Sequence, residues 1–132
     1  MAAGVQDQAQ RAVRGQASAQ VVRLTGLPGI ACPCGTARRA FAEAAEGRAS
    51  LHLVEVKQDS ERHYHQRLTE IYYVLSGDGQ MEIDGELRAL APGDAVFIPP
   101  GVVHRAIPGA APMTILNFVM PAFDPVDEWV VE

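Results

Sequence analysis

The sequence lacks a long apolar segment, an excess of positive charge and more than a few cysteines. No apolar run approaches the roughly 18 residues that would suggest a membrane span. The net charge is −5 at pH 7, whereas a nucleic-acid partner calls for a basic surface. The first residues lack the apolar block of a secretory signal. Only two cysteines are present, which fits a reducing compartment. These absences predict a cytoplasmic protein without a membrane or nucleic-acid partner.

What is present is the composition of an ordinary globular domain. Hydrophobic residues make up 48% and charged residues 20% of the 132 residues, a length that suits one domain with a modest core. Residues 1–20 are rich in Ala and Gln and offer little apolar surface to offset the entropy of ordering. We therefore expect a flexible or marginally helical arm, ordered only by packing against a second subunit. Residues 21–132 are expected to form the folded domain.

The pattern from residue 50 to residue 120 is that of short strands, with no sustained helical period. Glycine and proline punctuate it closely, and Asp84-Gly85 is a strong signal for a two-residue hairpin. Such spacing predicts an all-β barrel or sandwich. We also expect a strand over residues 21–25, broken by the glycines and proline that follow.

Three of the four histidines lie in two of these segments. His63 and His65 are two residues apart, so on a strand they project from one face. Glu70 opens the next strand, and His104 begins another just after a Pro-Pro-Gly turn. Three imidazoles and one carboxylate converging inside a barrel could hold a divalent transition metal. The alternative is ordinary barrel histidines, hydrogen-bonded to the backbone.

The spacing of these residues resembles the paired motifs of the cupin superfamily. The matching positions are His63, His65, Glu70 and Gly77 in the first motif, and Gly93, Pro99, Gly101 and His104 in the second. Lys57 stands in place of the leading glycine and Pro108 in place of the final asparagine, neither of which is a ligand position. The resemblance covers roughly residues 50 to 120. It implies a single double-stranded β-helix, or jelly-roll, barrel with an N-terminal extension.

The resemblance also implies a cofactor and a class of function. One divalent metal (iron, manganese, nickel, zinc or copper) would bind to His63, His65, Glu70 and His104, and a small organic molecule would enter the barrel. Members of the superfamily include dioxygenases, isomerases, decarboxylases, lyases and polyketide cyclases, and others only bind a ligand, so the fold cannot name the reaction. We expect an enzyme, with a dioxygenase slightly favoured because the ligand set resembles that of oxygen-using members. The alternatives are a redox-neutral isomerase, lyase or cyclase, and a non-catalytic binding module.

A partner subunit is implied in the same way. Barrels of this kind usually pair, so we expect a homodimer whose contact includes the N-terminal arm and the first strands.

Tyr72 is the candidate catalytic residue beside the metal ligands. It lies two residues after Glu70 and should share the inward face, whereas Tyr73 should face outward. The hypothesis is a phenol that donates a proton or binds substrate, and the alternative is a core tyrosine. The acidic segment over residues 124–129 is either a lid over the barrel or, preferably, a capped helical turn.

Other residues leave two interpretations open. Of the adjacent Arg38 and Arg39, one should face the barrel, where it could hold a substrate carboxylate; a surface ion pair with the acidic tail is the favoured alternative. Cys32 and Cys34 are too close for an unstrained disulfide and suggest buried thiols, or else one thiol at the pocket mouth. His52 is interpreted as a half-buried strand histidine outside the site.

Overall fold

A computed structural model describes residues 18–132 of the chain. The regular structure of this part is almost entirely strand, with two 3-10 turns at Leu24–Gly26 and Ala45–Gly47. Its strands are β1 (Ile30–Cys32), β2 (Gly35–Ala40), β3 (Ser50–Val56), β4 (His63–Tyr64), β5 (Thr69–Ser76), β6 (Gly79–Ile83), β7 (Glu86–Leu90), β8 (Ala95–Ile98), β9 (His104–Pro108), β10 (Met113–Met120) and β11 (Trp129–Val130). Most of the expected N-terminal arm, residues 1–17, lies outside the described residues. Within residues 18–132, no helix is long and apolar enough to cross a membrane.

The strands form two antiparallel sheets. The six-stranded sheet has the order β1-β2-β3-β10-β5-β8, and the five-stranded sheet has the order β11-β4-β9-β6-β7. Strands distant in sequence are neighbours in both sheets, because β10 lies between β3 and β5, and β9 lies between β4 and β6. The prediction of an all-β jelly-roll barrel is confirmed.

The core lies between the two sheets and follows the alternation of side chains along each strand. On β10, Met113, Ile115, Asn117 and Val119 are buried, while the residues that alternate with them are more exposed. The five-stranded sheet contributes Met81 and Ala106 to the same apolar cluster. Because alternate residues point to opposite faces, the polar residues at inward positions of these strands must also face the barrel interior.

Two turns show why their residues are required. Asp84 and Gly85 both have positive φ and join β6 to β7 as a two-residue hairpin, as the sequence predicts. Gly77 also has positive φ, and a Cβ there would lie 2.3 Å from the carbonyl oxygen of Pro112. The glycine that closes the first motif is thus fixed by the close approach of the chain before β10.

One sequence prediction about local structure is wrong. Residues 21–25 form no strand; Leu24 begins a 3-10 turn instead, and Val21 is almost fully exposed. No strand of residues 18–132 pairs with this segment. The capped turn expected in the acidic tail is present as a single hydrogen-bonded turn rather than a helix: the N–H of Asp127 donates to the carbonyl oxygen of Asp124, and the Asp124 carboxylate accepts the N–H of Val126. Trp129–Val130 then pairs with β4.

Candidate metal centre

The four predicted ligands come together between the two sheets. His63 on β4 lies directly opposite His104 on β9 in the five-stranded sheet. Glu70 projects from β5 of the six-stranded sheet. Each of His63, His65, Glu70 and His104 offers one ligand atom, these atoms lie within 4.8 Å of one another, and all four side chains are buried. This cluster could therefore hold a metal ion.

Each histidine of the cluster is oriented by a backbone carbonyl. The Nδ1–H groups donate to the carbonyl oxygens of Glu61 (2.7 Å, from His63), Asp127 (2.6 Å, from His65) and Val102 (2.9 Å, from His104). With Nδ1 protonated in this way, Nε2 carries the free lone pair of each neutral ring and can bind a metal. Hydrogen bonds of this kind fix the tautomer and the ring orientation of metal-binding histidines. The donor set thus suits a divalent transition metal.

Glu70 is held at both oxygens. Its Oε1 lies 3.0 Å from Nε2 of His65 and 3.0 Å from Nε2 of His104. Its Oε2 accepts a hydrogen bond of 2.6 Å from Nδ2 of Asn117. Asn117 lies on β10, which pairs with the strand of Glu70, β5. The other polar side-chain atom of Asn117, the amide oxygen Oδ1, is buried and has no hydrogen-bond partner among the described residues. Asn117 therefore positions the carboxylate while presenting an unused acceptor to the interior.

The electrostatics of the cluster favour a cation. Burial alone would raise the pKa of Glu70, but its bonds to His104 and His65 outweigh burial and hold that pKa well below its usual range. Burial opposes charge on His65, yet the bond to Glu70 raises its pKa to about 9. Burial and the neighbouring His104 lower the pKa of His63. An ionised carboxylate thus attracts positive charge to the centre, and a proton on His65 supplies it when no metal is bound.

A cavity of about 180 Å³ adjoins the cluster. Its polar lining includes three of the four predicted ligands, His63, His65 and Glu70, together with Arg39, His52, Ser60, Glu61, Tyr72, Asn117 and Glu128. Apolar side chains such as Val54, Ile115 and Phe123 complete the wall. The cavity therefore suits a small organic molecule.

Tyr72 lies where the strand alternation places it. It is buried and lines the cavity, and its ring makes an edge contact with His104 at 6.2 Å between centroids, whereas Tyr73 is 40% exposed. Burial, followed by the charge of Glu70, raises the pKa of the Tyr72 phenol. The phenol therefore stays protonated and can act as a donor. Its catalytic role remains a prediction.

Arg39, His52 and both cysteines also reach the cavity. Arg39 faces inward, whereas Arg38 donates to the backbone carbonyl of Leu27, so one arginine faces each way as predicted. Neither forms a salt bridge with the acidic tail within residues 18–132. His52 is 3% exposed and bonded to Ser50, which is more buried than the expected half-buried position.

Cys32 and Cys34 are free thiols with their sulfur atoms 3.4 Å apart. Each is only partly buried and lines the cavity, so the alternative of a thiol at the pocket is the one that the structure favours. The hydrogen bond from Cys34 lowers the pKa of Cys32 to about 6, and the charge of Arg39 contributes. The same bond raises the pKa of Cys34.

The acidic tail supports the cluster in a way that sequence reasoning missed. The Asp127 carboxylate accepts backbone N–H bonds from Gln66, Arg67 and Leu68, at 2.8 to 3.1 Å. This carboxylate thus holds the loop that separates the histidine pair from Glu70. Asn117 was missed as well, although a polar residue at an inward position of an apolar strand was a usable signal.

Comparison with known proteins agrees with this geometry. The family model described as a cupin domain matches residues 50–119. The chain belongs to the cupin superfamily. The crystal structure of a protein from Planctomyces limnophilus is 38% identical with a TM-score of 0.77, and the alignment covers 86% of this chain and 97% of that protein's chain. An uncharacterized Aquifex aeolicus protein is 34% identical over 63% of this cupin and 69% of its own length.

A more distant structure shares the fold. The nucleoside dehydratase Pac13, of which a Streptomyces variant is also known with uridine, is 20% identical with a TM-score of 0.70. The alignment covers 87% of this cupin and 92% of Pac13. At this identity the likeness concerns the fold alone.

Proposed function

We propose that this cupin is a metal-dependent enzyme that acts on a small organic molecule. The observation that carries the proposal is the convergence of three imidazole Nε2 atoms and one carboxylate beside a small cavity. His63, His65, Glu70 and His104 would hold one divalent ion of iron, manganese, nickel, zinc or copper. Four protein ligands leave two positions open on an octahedral ion, and open positions distinguish catalytic from closed structural sites.

The bound metal would supply Lewis-acid polarisation of a substrate oxygen, or access to oxygen chemistry. The protein supplies the rest. The Nδ1–H bonds to backbone carbonyls keep the imidazoles from rotating, and Asn117 holds Glu70. Tyr72, protonated and within the cavity, is our candidate for transferring a proton to or from the substrate. The apolar wall limits water around the reacting group.

Two reaction classes remain candidates, each with its own support. A dioxygenase is our first candidate, because three histidines and a glutamate resemble the ligand set of oxygen-using cupins. A redox-neutral isomerase, lyase or cyclase is the second. It is supported by the phenol of Tyr72, whose raised pKa keeps it protonated and able to donate a hydrogen bond to the substrate, and by the dehydratase Pac13, which has the same fold.

Metal analysis is the first test. The protein purified without added metal should contain one transition metal per chain, and His104→Ala should lose it. His52→Gln is the matched control, because His52 lines the same cavity but is not in the cluster; it should keep the metal. Iron, copper, manganese or nickel would lead to oxygen-uptake assays, and zinc alone to redox-neutral assays. No metal in any of the three proteins would refute the proposal and favour a binding module.

Tyr72→Phe tests the catalytic role separately from metal binding. Once a turnover assay exists, we expect metal content to be unchanged and kcat to fall by a factor of about 100 or more, in the range typical of a general acid or base. Unchanged turnover with intact metal would leave Tyr72 as a core residue.

We also propose a homodimer. β1 is an edge strand of the six-stranded sheet, and its Ile30 is 52% exposed; such an edge is normally covered or paired. Sedimentation equilibrium at micromolar concentration should give twice the chain mass, and a monomer would contradict the proposal.

A further inference from the structure

We propose that Arg39 is an anion-binding residue of this cavity and that the substrate is a small carboxylic acid. The inference deepens the proposed function, because it names a chemical class for the molecule that would reach the metal centre. The binding of a carboxylate by Arg39 can nevertheless be tested on metal-free protein.

The direction of Arg39 follows from the register of β2. Arg39 lies opposite His52 of β3, whose side chain is buried in the barrel. The preceding residue, Arg38, points the other way. Alternation along the strand thus fixes the guanidinium of Arg39 on the side of the cavity, where it is part of the lining.

An aromatic platform holds the guanidinium in place. Cζ of Arg39 lies 4.2 Å from the centroid of the Phe123 ring, within the range of a cation–π contact. The backbone N–H of Phe123 donates to Oγ of Ser50, which also bonds to the ring of His52. The His52 and Phe123 rings meet edge to face, with centroids 5.3 Å apart. The platform is therefore attached to β3 and supports the guanidinium at the cavity wall.

The hydrogen-bonding capacity of Arg39 is not used within the described part of the chain. Its Nε is buried and has no partner, and no carboxylate of residues 18–132 forms a salt bridge with it. Arg62 and Arg105, by contrast, both pair with Glu82. Leaving a partly buried charge without a counter-ion is unfavourable. A bound anion would remove this cost.

The positive field of Arg39 acts inside the cavity. Burial is the main cause that lowers the pKa of His52 to about 4, and the charge of Arg39 is the second. It also contributes to the lowered pKa of Cys32. Neutral His52 leaves Arg39 without a competing cation on the neighbouring strand, and the field favours an anionic ligand.

The lining favours a carboxylate over a phosphate. Glu61 and Glu128 also face the cavity, so a dianion would meet more repulsion than a monoanion. The planar fork of a guanidinium matches a carboxylate with two parallel hydrogen bonds. The volume of about 180 Å³ restricts the ligand to a small acid.

The test compares pyruvate with pyruvamide, which differ in the charge of one group. Metal-free wild-type protein should bind pyruvate saturably in isothermal titration or saturation-transfer NMR, and pyruvamide at least tenfold more weakly. Arg39→Gln should lose at least tenfold in pyruvate affinity, and Arg39→Lys should recover part of it. Arg38→Gln is the matched control and should bind as the wild type does.

Two results would show that Arg39 does not bind an anion, and a third would contradict the carboxylic acid. One is equal binding of pyruvate and pyruvamide to the wild type, which needs no variant to fold. The other is unchanged pyruvate affinity in Arg39→Gln. Phosphate binding more tightly than pyruvate would also contradict the assignment of a carboxylate. If Arg39 does not bind a carboxylate, the metal content measured above is unaffected. If no metal binds, pyruvate binding to the metal-free protein can still be measured. The failure of one proposal is therefore distinguishable from the failure of the other.

Discussion

The loop between the histidine pair and Glu70 depends on Asp127, and replacing Asp127 should destabilise the protein strongly. The carboxylate accepts three backbone N–H groups and also the indole N–H of Trp129, at 3.1 Å. Asp127→Ala leaves all four donors without this partner. A donor left unsatisfied in the interior costs about 1–3 kcal/mol. Because water can reach some of these donors once the side chain is gone, we expect a total loss of about 3 kcal/mol.

Urea unfolding of metal-free protein at pH 7 measures this loss. Asp127→Asn keeps one acceptor oxygen but no charge and should lose about half as much stability as the alanine variant. Asp124→Ala is the matched control in the same segment: its carboxylate pairs with the exposed Arg67 and accepts the backbone N–H of the exposed Val126, and we expect a loss of about 1 kcal/mol. Comparable losses for the two alanine variants would refute the reasoning.

The pH dependence checks the same contacts. Burial opposes ionisation of Asp127, but the N–H bonds outweigh it and lower its pKa from 3.8 to about 2. A lowered carboxyl pKa adds stability that is fully present above pH 3.8 and is lost as the pH falls through 2. The stability difference between wild type and Asp127→Asn should therefore shrink below pH 4. A difference independent of pH down to 2 would show that the charge of Asp127 does not contribute.

Three further predictions concern the cavity wall. Burial lowers the pKa of His52 from 6.5 to about 4, so the stability that depends on neutral His52 is full above pH 6.5 and falls towards pH 4. In urea unfolding, the wild type should lose about 2 kcal/mol more than His52→Gln between pH 7 and pH 4.5. Equal losses in the two proteins would contradict this. Cys32 should be alkylated by iodoacetamide at pH 7 well before Cys34, as measured by peptide mass spectrometry; equal labelling would disprove the assigned thiolate. Asn117→Leu removes the donor to Glu70 and should weaken metal binding by a factor of about 10 to 100 in chelator competition, whereas unchanged affinity would show that Glu70 is held without it.

The sequence predicts the cluster of four donors by combining local rules with the spacing of the cupin motifs. Alternation puts His63 and His65 on one face, and the same rule places Tyr72 inward from Glu70. The resemblance to the cupin motifs then adds His104, which local rules do not connect to the other ligands. The structure brings the four predicted ligands together.

The contacts of Asn117 and Asp127 with the cluster could not be predicted from the sequence by these rules. Asn117 and Asp127 reach the cluster from 47 and 62 residues away in the chain, and the register of the strands that bring them is not a local property. The two-residue pairing of β11 with β4 likewise has no period to detect, so the sequence did not predict this strand. The strand expected over residues 21–25 failed for the converse reason, since β propensity without a neighbouring strand does not suffice.

The bond from His65 to the carbonyl of Asp127, and the pairing of β4 with β11, also set an order in time. During synthesis the histidine pair leaves the ribosome long before residues 127–130, so for that interval the ring of His65 lacks the group that orients it. The complete set of oriented ligands exists only once the last strand has docked. Any ion that this cluster binds would then be captured only after this segment has been translated.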